Sequence, residues 1–481
     1  MPSTRIRTLS MALPNPTPSP ARPTVPDTPT ALASPDTLTT LAPPDTLTTS
    51  VRPSAPDTPP TPVRPTAPDT PPTPVRPTAP DTPPAPASPN ALSDGTAPPP
   101  AWRRLPRLDA VDRDVLTLYL FTRVALAVVA YCTAWLFPRS PEAHSPGLFT
   151  EVVGQWDWSH YLHIARDGYF PDDPAARPAE WDNREAFFPG FPLVLRAVHL
   201  VVPEWTAAGL LVSLVAGAVA VLALARIARL HLPRAADARR AALLLLVSPC
   251  AVFLAVGYTE SLFLALALPA WLAARRQDWR AAALLAAGAT TVRVSGLFLV
   301  AALVVHFALA ARARGTLRGL PWLAVPALPP FLYSWYLHAR TGDWMAWKHA
   351  QERGWYREFH APWEAWGTTW DAAFGHGYTT PYALMWQAEL VAMAVGVVTV
   401  ALLVRARRWP EACYIVLSLW ALGTSYWYMS IPRATLLWWP LWIGIASWTL
   451  RRPRWLAAWL CLSAPLSVVL AVTFFSGRWA G

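Results

Sequence analysis

Apolar residues run in long stretches between residues 115 and 475, broken mainly by short arginine-rich turns. A helix of roughly 17–25 predominantly apolar residues is long enough to cross a bilayer. The pattern predicts helices over 115–137, 206–226, 241–256, 258–274, 281–292, 294–311, 319–338, 383–404, 410–429, 434–450 and 455–475, an all-α polytopic membrane fold of about 11 transmembrane helices. The pair flanking Arg293 is short for two crossings, which leaves a broken or re-entrant arrangement open there. The stretch FFPGFPLVLRAVHLVV, Phe187 to Val202, is apolar but holds two prolines, Arg196 and His199. Its expected place is an interfacial helix, because counting it as a crossing breaks the alternation set by the arginines.

Arginine clusters precede the first span (WRRLPRLDAVDR) and recur at Arg226–Arg240, Arg275–Arg280, Arg312–Arg318, Arg405–Arg408 and Arg451–Arg454. Short basic loops stay on the cytoplasmic side. Placing all these clusters there gives a consistent alternation, with a cytoplasmic N-terminus in the plasma membrane. Two long polar segments then fall outside. The first, residues 138–185, holds nine acidic and four basic residues, and the second, 338–382, carries Trp344, Trp347, Trp355, Trp363, Trp366 and Trp370. Tryptophan suits a membrane–water interface and also suits stacking on a sugar.

Composition changes the picture at the N-terminus. Residues 1–100 hold 30 of the chain's 54 prolines and repeat a 12-residue unit from Val51, Val63 and Val75 (VRPSAPDTPPTP, VRPTAPDTPPTP, VRPTAPDTPPAP). Such a segment buries too little apolar surface to offset its ordering entropy. It is expected to be a disordered tail, a spacer or a docking tail, ahead of a membrane domain spanning 101–481. No continuous apolar core follows its first arginines, which speaks against a secretory leader. The net charge of +10 is almost all arginine, with Lys348 the single lysine, and it bears on topology rather than on nucleic acid. The four cysteines (Cys132, Cys250, Cys413, Cys461) lie in apolar runs and read as small hydrophobes.

Candidate chemistry gathers where charge is expensive. On a helix, Asp157, His160 and Tyr161 of WDWSHYLHIARDGYF share one face at i, i+3 and i+4. A positioned carboxylate can serve as general base toward a hydroxyl, and an N-terminal cap is the plainer alternative. His160 and His163 have a spacing that could ligate a metal, but a solvated or satisfied pair fits as well. Glu260 in AVGYTESLF, Arg293 in TTVRVSGLFLV and Arg433 in SIPRATLLWWPLW are isolated ionisable groups at the ends of apolar runs, all on the expected outer side. Such groups usually mark function. The planar arginine fork suits phosphate, and snorkelling to lipid headgroups is the competing reading. No D-x-D nucleotide-sugar motif appears, and PDDP at Pro171 reads as a turn.

These residues resemble a known family. QWDWSHYLHIARDGY is similar to the W-D-x-x-H-Y-x-x-I-A-x-x-G-Y signature of the PIG-V family, the GPI mannosyltransferase II group and its bacterial relatives. FFPGFPLVLR, YTESLFLALALPAWLAARRQDW, VRVSGLFL, RTGDWMAWKHAQERGW and SIPRATLLWWPLW resemble its further segments, in order, over about residues 115–450. Thr259 stands where Ser is usual and Ala434 where Tyr is common. The tail lies outside the resemblance.

The resemblance implies a GT-C type glycosyltransferase that uses polyprenyl-phosphate mannose on the extracytoplasmic side of the bilayer. It places Asp157 at the catalytic position. The expected assignments are Asp157 as base with His160 beside it; Arg293 and Arg433 on the donor phosphate; and Glu260, Tyr161 and Gln351 as further substrate contacts. The acceptor would be a glycolipid, a lipoglycan or a protein. No cofactor or metal is required, because the leaving group carries a single phosphate. A transporter or flippase for a lipid-linked molecule, a GT-C enzyme for another sugar, and a non-catalytic scaffold remain the alternatives.

Overall fold

The computed structural model describes residues 108–137, 148–171 and 183–481. The expected tail, the PDDP turn beyond Pro171, and residues 138–147 and 172–182 of the first polar segment lie outside these residues. Among the described residues every regular element is helical. The chain is a multi-pass membrane protein. Five helices are long and apolar enough to cross a bilayer: α1 (Ala110–Leu136), α5 (Trp205–Ala228), α9 (Ser295–Arg314), α13 (Thr380–Arg405) and α17 (Pro453–Phe475).

Shorter helices fill the intervals. They are α2 (Leu148–Val153), α3 (Asp157–Asp167), α4 (Gly190–His199), α6 (Ala238–Leu246), α7 (Thr259–Arg275), α8 (Trp279–Val292), α10 (Leu328–Thr341), α11 (Ala346–Trp355), α12 (Pro362–Phe374), α14 (Trp409–Gly423), α15 (Ile431–Ala434) and α16 (Trp439–Arg451). Several expected crossings are therefore not single helices, and proline accounts for two of the breaks. The run 241–256 stops at Leu246, ahead of Pro249, and continues as a 3₁₀ turn at Ala251–Leu254. The residue before a proline is biased away from helix, and hydropathy alone does not register this. The run 319–338 divides into a 3₁₀ stretch, Leu320–Ala327, and α10, within a segment that holds Pro321, Pro326, Pro329 and Pro330. The run 410–429 ends its helix at Gly423, and 434–450 becomes helical again only at Trp439. The stretch Phe187–Val202 contains α4, whose ten residues make a helix of about 15 Å, too short to cross.

α5 is the organising helix. Glu204 caps its start by accepting from Thr206 N at 2.9 Å and from Ala207 N at 2.5 Å. Its inward stripe is small (Ala208, Gly209, Ser213, Ala216, Gly217, Ala220), which lets neighbouring elements approach closely. Tyr119 of α1 lies over Gly217, where a Cβ would fall 2.3 Å from the phenol oxygen, and donates to Leu214 O at 2.9 Å. α7 packs along α5 and against α8, and α9 packs on α14.

Near the C-terminal end of α5, Arg226 and Arg229 pair with Asp112 at 2.9 and 2.6 Å, and Arg229 also holds Asp109 at 2.6 Å. Arg239 pairs with Asp114 at 2.7 Å. Arg408 pairs with Glu411 at 2.7 Å and donates to His231 at 3.2 Å. Four arginines from two of the sequence clusters, Arg226–Arg240 and Arg405–Arg408, thus gather at one end of the bundle. Gly209, near the N-terminal end of α5, belongs to the opposite end, and the candidate site is built there.

Candidate active site

The site begins with Trp158. Its indole is buried between Gly209 of α5 and Gly257 in the turn before α7; a Cβ at either glycine would lie 2.5 Å from the ring. This wedge fixes the start of α3 against the membrane bundle. Trp156 adopts a positive φ of 52° immediately before the helix. Such a conformation is uncommon for a bulky residue and occurs where surroundings over-determine it. Asp157 follows as the first helical residue.

Asp157 accepts from Arg433 Nη1 at 2.8 Å through Oδ2. Arg433 Nε also donates to Glu260 Oε1, and Arg293 Nη1 donates to the same oxygen at 2.7 Å and to Thr259 Oγ1 at 2.5 Å. The result is a chain of alternating charge, Asp157–Arg433–Glu260–Arg293, assembled from α3, α15, the start of α7 and the end of α8. Solvent access separates the two carboxylates: Asp157 is 21% exposed and Glu260 is fully buried. Asp157 Oδ1 makes no hydrogen bond among the described residues, so one oxygen remains available to a ligand. Glu260 Oε2 is buried without a partner. The Arg433 guanidinium is further held 4.7 Å above the rings of both Phe253 and Tyr258, and Tyr258 is fixed by donating to Gln155 O at 2.7 Å.

The other expected site residues fall around this chain in different roles. Tyr161 is buried among Phe187, Phe191 and Tyr258; burial first, and the charge of Asp157 second, push its phenol well up, so it stays protonated. His160 stacks on Phe187 at 4.7 Å and meets Trp355 edge-on at 5.9 Å. Gln351 lies on α11 and donates to Ala186 O at 2.9 Å, alongside Trp347 Nε1 at 3.2 Å. It ties α11 to the turn that carries Phe187. His163 lies one turn beyond His160, and among the described residues no group of three or more His, Cys, Asp or Glu side chains is arranged to hold a metal ion.

Two residues join the site that the sequence reading did not single out. Glu389 of α13 is fully buried, and its two oxygens accept from Ser430 N at 2.6 Å and Ile431 N at 2.8 Å. It caps α15 from another helix and thereby sets the position of Arg433; Ser430 takes the left-handed φ of 67° that this turn needs. A carboxylate inside an apolar run was the available signal for it. Arg357, just past α11, is the second. Its charge interacts with Glu389, Arg293, Asp157 and Arg433. In the sequence it sits in the polar stretch WYREFH and reads as an ordinary loop arginine.

Comparison with known proteins agrees with the motif reading. Residues 123–312 match the family model described as mannosyltransferase (PIG-V), a range that includes Asp157, His160, Tyr161, Glu260 and Arg293 but not Gln351, Arg357, Glu389 or Arg433. The mouse protein GPI alpha-1,6-mannosyltransferase 2 is 33% identical over 205 residues, 39% of this chain and 39% of that protein. Its human counterpart is 35% identical over 157 residues, 30% of this chain and 29% of that one. The aligned part thus spans about two fifths or less of the curated relatives. Among solved structures, the crystal structure of ArnT from Cupriavidus metallidurans bound to undecaprenyl phosphate superposes with a TM-score of 0.41 at 16% identity, covering 72% of this chain and 63% of that one. The resemblance to PIG-V mannosyltransferases drawn from the motifs is thus shown over residues 123–312, and the enzyme class it indicates is a glycosyltransferase.

Proposed function

Taking residues 123–312 as a PIG-V mannosyltransferase segment, we propose that the chain is a GT-C type enzyme. It transfers mannose from polyprenyl-phosphate mannose to the hydroxyl of an extracytoplasmic glycolipid, lipoglycan or protein, with inversion. The observation that carries this reading is the charge chain Asp157–Arg433–Glu260–Arg293, which ends on a carboxylate with one free oxygen. A mannosyl donor, an acceptor alcohol and a base are all the reaction requires.

The acceptor oxygen attacks the anomeric carbon as Asp157 Oδ1 takes its proton. The bond from that carbon to the phosphate oxygen breaks, and polyprenyl phosphate leaves with the electron pair. Arg433 holds Asp157 by its other oxygen, so the base is aimed rather than free to rotate. Arg293 donates through Nη1 alone, and its remaining N–H groups are available to the phosphate, where negative charge grows as the bond breaks. Preorganised donors of this kind act mainly on the transition state. His160 and Trp355 form an aromatic wall beside Asp157, suited to the apolar face of a sugar. The gathering of arginines at the opposite end of the bundle supports a cytoplasmic location for that end and an extracytoplasmic site in the plasma membrane.

The test is Asp157→Asn in purified protein with labelled polyprenyl-phosphate mannose and a panel of membrane glycolipid acceptors. Loss of a positioned base costs about 10²–10⁴-fold in rate, with melting temperature and donor affinity little changed. If the wild-type protein transfers no sugar to any acceptor but moves the intact donor across liposomes, the chain is a transporter and the reading fails.

A further inference from the structure

In the site as folded, Arg433 and Arg293 are both hydrogen-bonded to carboxylates. A third guanidinium is not. Arg357 makes no hydrogen bond or ion pair through its side chain among the described residues. Glu389, the carboxylate whose charge acts on it most, is hydrogen-bonded instead to the amides of Ser430 and Ile431.

The location of Arg357 is fixed from both sides. Trp355, two residues before it, packs against His160 and Phe187. Tyr356 ends α11 with a left-handed φ of 52° and accepts through its carbonyl from Tyr426 N at 3.2 Å, while its ring lies 5.4 Å from that of Trp427. His360 N donates to Thr424 O at 2.8 Å. The loop 356–360 is thus laced to the segment that leads into Ser430 and Arg433. That puts Arg357 between the His160 wall and the Arg433 turn, with its charge felt by Asp157 and Arg293. A partly buried guanidinium that has given up water without gaining an anion is a cost to the free protein, and a bound anion removes that cost. Burial lowers its pKa to about 10, against the pull of Glu389, so it is charged at neutral pH.

We propose that Arg357 is the residue that takes the phosphate of the lipid-linked donor directly, its planar fork donating to two phosphate oxygens. This rests on the donor reading above. The donor phosphodiester carries one negative charge, and the leaving polyprenyl phosphate, once its ester bond to the sugar breaks, develops a second. A guanidinium with all its donors unspent meets that added charge without first leaving a carboxylate.

The experiment measures binding of a polyprenyl monophosphate and of the matching neutral polyprenol to purified protein in mixed micelles, for wild type, Arg357→Ala, Arg357→Gln and Arg357→Lys. Wild type should prefer the phosphate. Loss of a charge-assisted hydrogen-bonding partner should weaken phosphate binding by about tenfold to a hundredfold, leave polyprenol binding unchanged, and place Lys between Arg and Gln. Gln keeps most of the stem and replaces Ala if the latter does not fold. If wild type prefers the phosphate and both neutral variants keep that preference, the assignment of Arg357 is overturned while the donor reading stands. If wild type does not distinguish phosphate from alcohol, the donor reading itself fails.

Discussion

Gly257→Ala should disable the site while leaving the protein folded. The added methyl would lie 2.5 Å from Trp158 Cζ3 and 2.7 Å from Cε3. Ordinary carbon contacts begin near 3.5 Å, so the indole must retreat by about 1 Å. It cannot move toward α5, because a Cβ position at Gly209 is already 2.5 Å from the same ring. The shift therefore passes to the backbone of α3, whose first helical residue is Asp157. A displacement of about 1 Å at a reacting group costs on the order of 10²-fold in rate, whereas overpacking a core costs typically about 1–3 kcal/mol. The expectation is a fall in kcat of about two orders of magnitude, with a melting temperature a few degrees lower. Labelled mannose transfer and a thermal melt in the same detergent read the two quantities. The double variant Gly257→Ala with Trp158→Phe removes the atoms that collide and should recover part of the rate. If Gly257→Ala alone keeps full activity, the wedge does not position Asp157 and that reasoning is wrong.

Other changes separate charge pairing from chemistry. Glu260→Gln leaves Arg293 and Arg433 facing each other without their shared carboxylate; breaking a buried pair costs about 3–5 kcal/mol, so this variant should melt well below Asp157→Asn and accumulate less in membranes. His231, at the end of the bundle opposite the site, is lowered to about 4, by burial first and by Arg408 second. The unfolded chain takes up its proton near pH 6.5, so the stability from neutral His231 is complete above that value and is lost as pH falls from about 6.5 toward 4. Melting temperatures between pH 8 and pH 5 should show this slope, and His231→Gln should flatten it.

Much of the site was legible because ionisable residues are conspicuous against apolar runs. Asp157, Glu260, Arg293 and Arg433 stood out for that reason, and the fold brings all four into one chain of ion pairs. Their pairing was not legible. Nothing in the spacing of Glu260 and Arg433, separated by 173 positions, says that they share a hydrogen bond. Glu389 carried a usable signal, a carboxylate within an apolar run, but Arg357 carried none, since its importance comes from where a loop is laced. The all-helical class followed from hydropathy, whereas helix lengths did not. Pro249 ends an apolar run that looks continuous, and a turn there delivers Gly257 to the Trp158 wedge.

The cap supplied by Glu389 links the site to the lipid around it. α13 has 26 residues and is about 39 Å long, against a hydrocarbon core of about 30 Å. A helix of that excess length tilts to an extent that depends on bilayer thickness. Glu389 rides on α13 and grips the backbone of Ser430 and Ile431, so a change of tilt moves the turn that presents Arg433 and, through Arg433, the carboxylate of Asp157. Under the proposed reaction, acyl-chain length in a reconstituted system is therefore expected to change the rate of mannose transfer, and an unchanged rate across bilayers of different thickness would break this link.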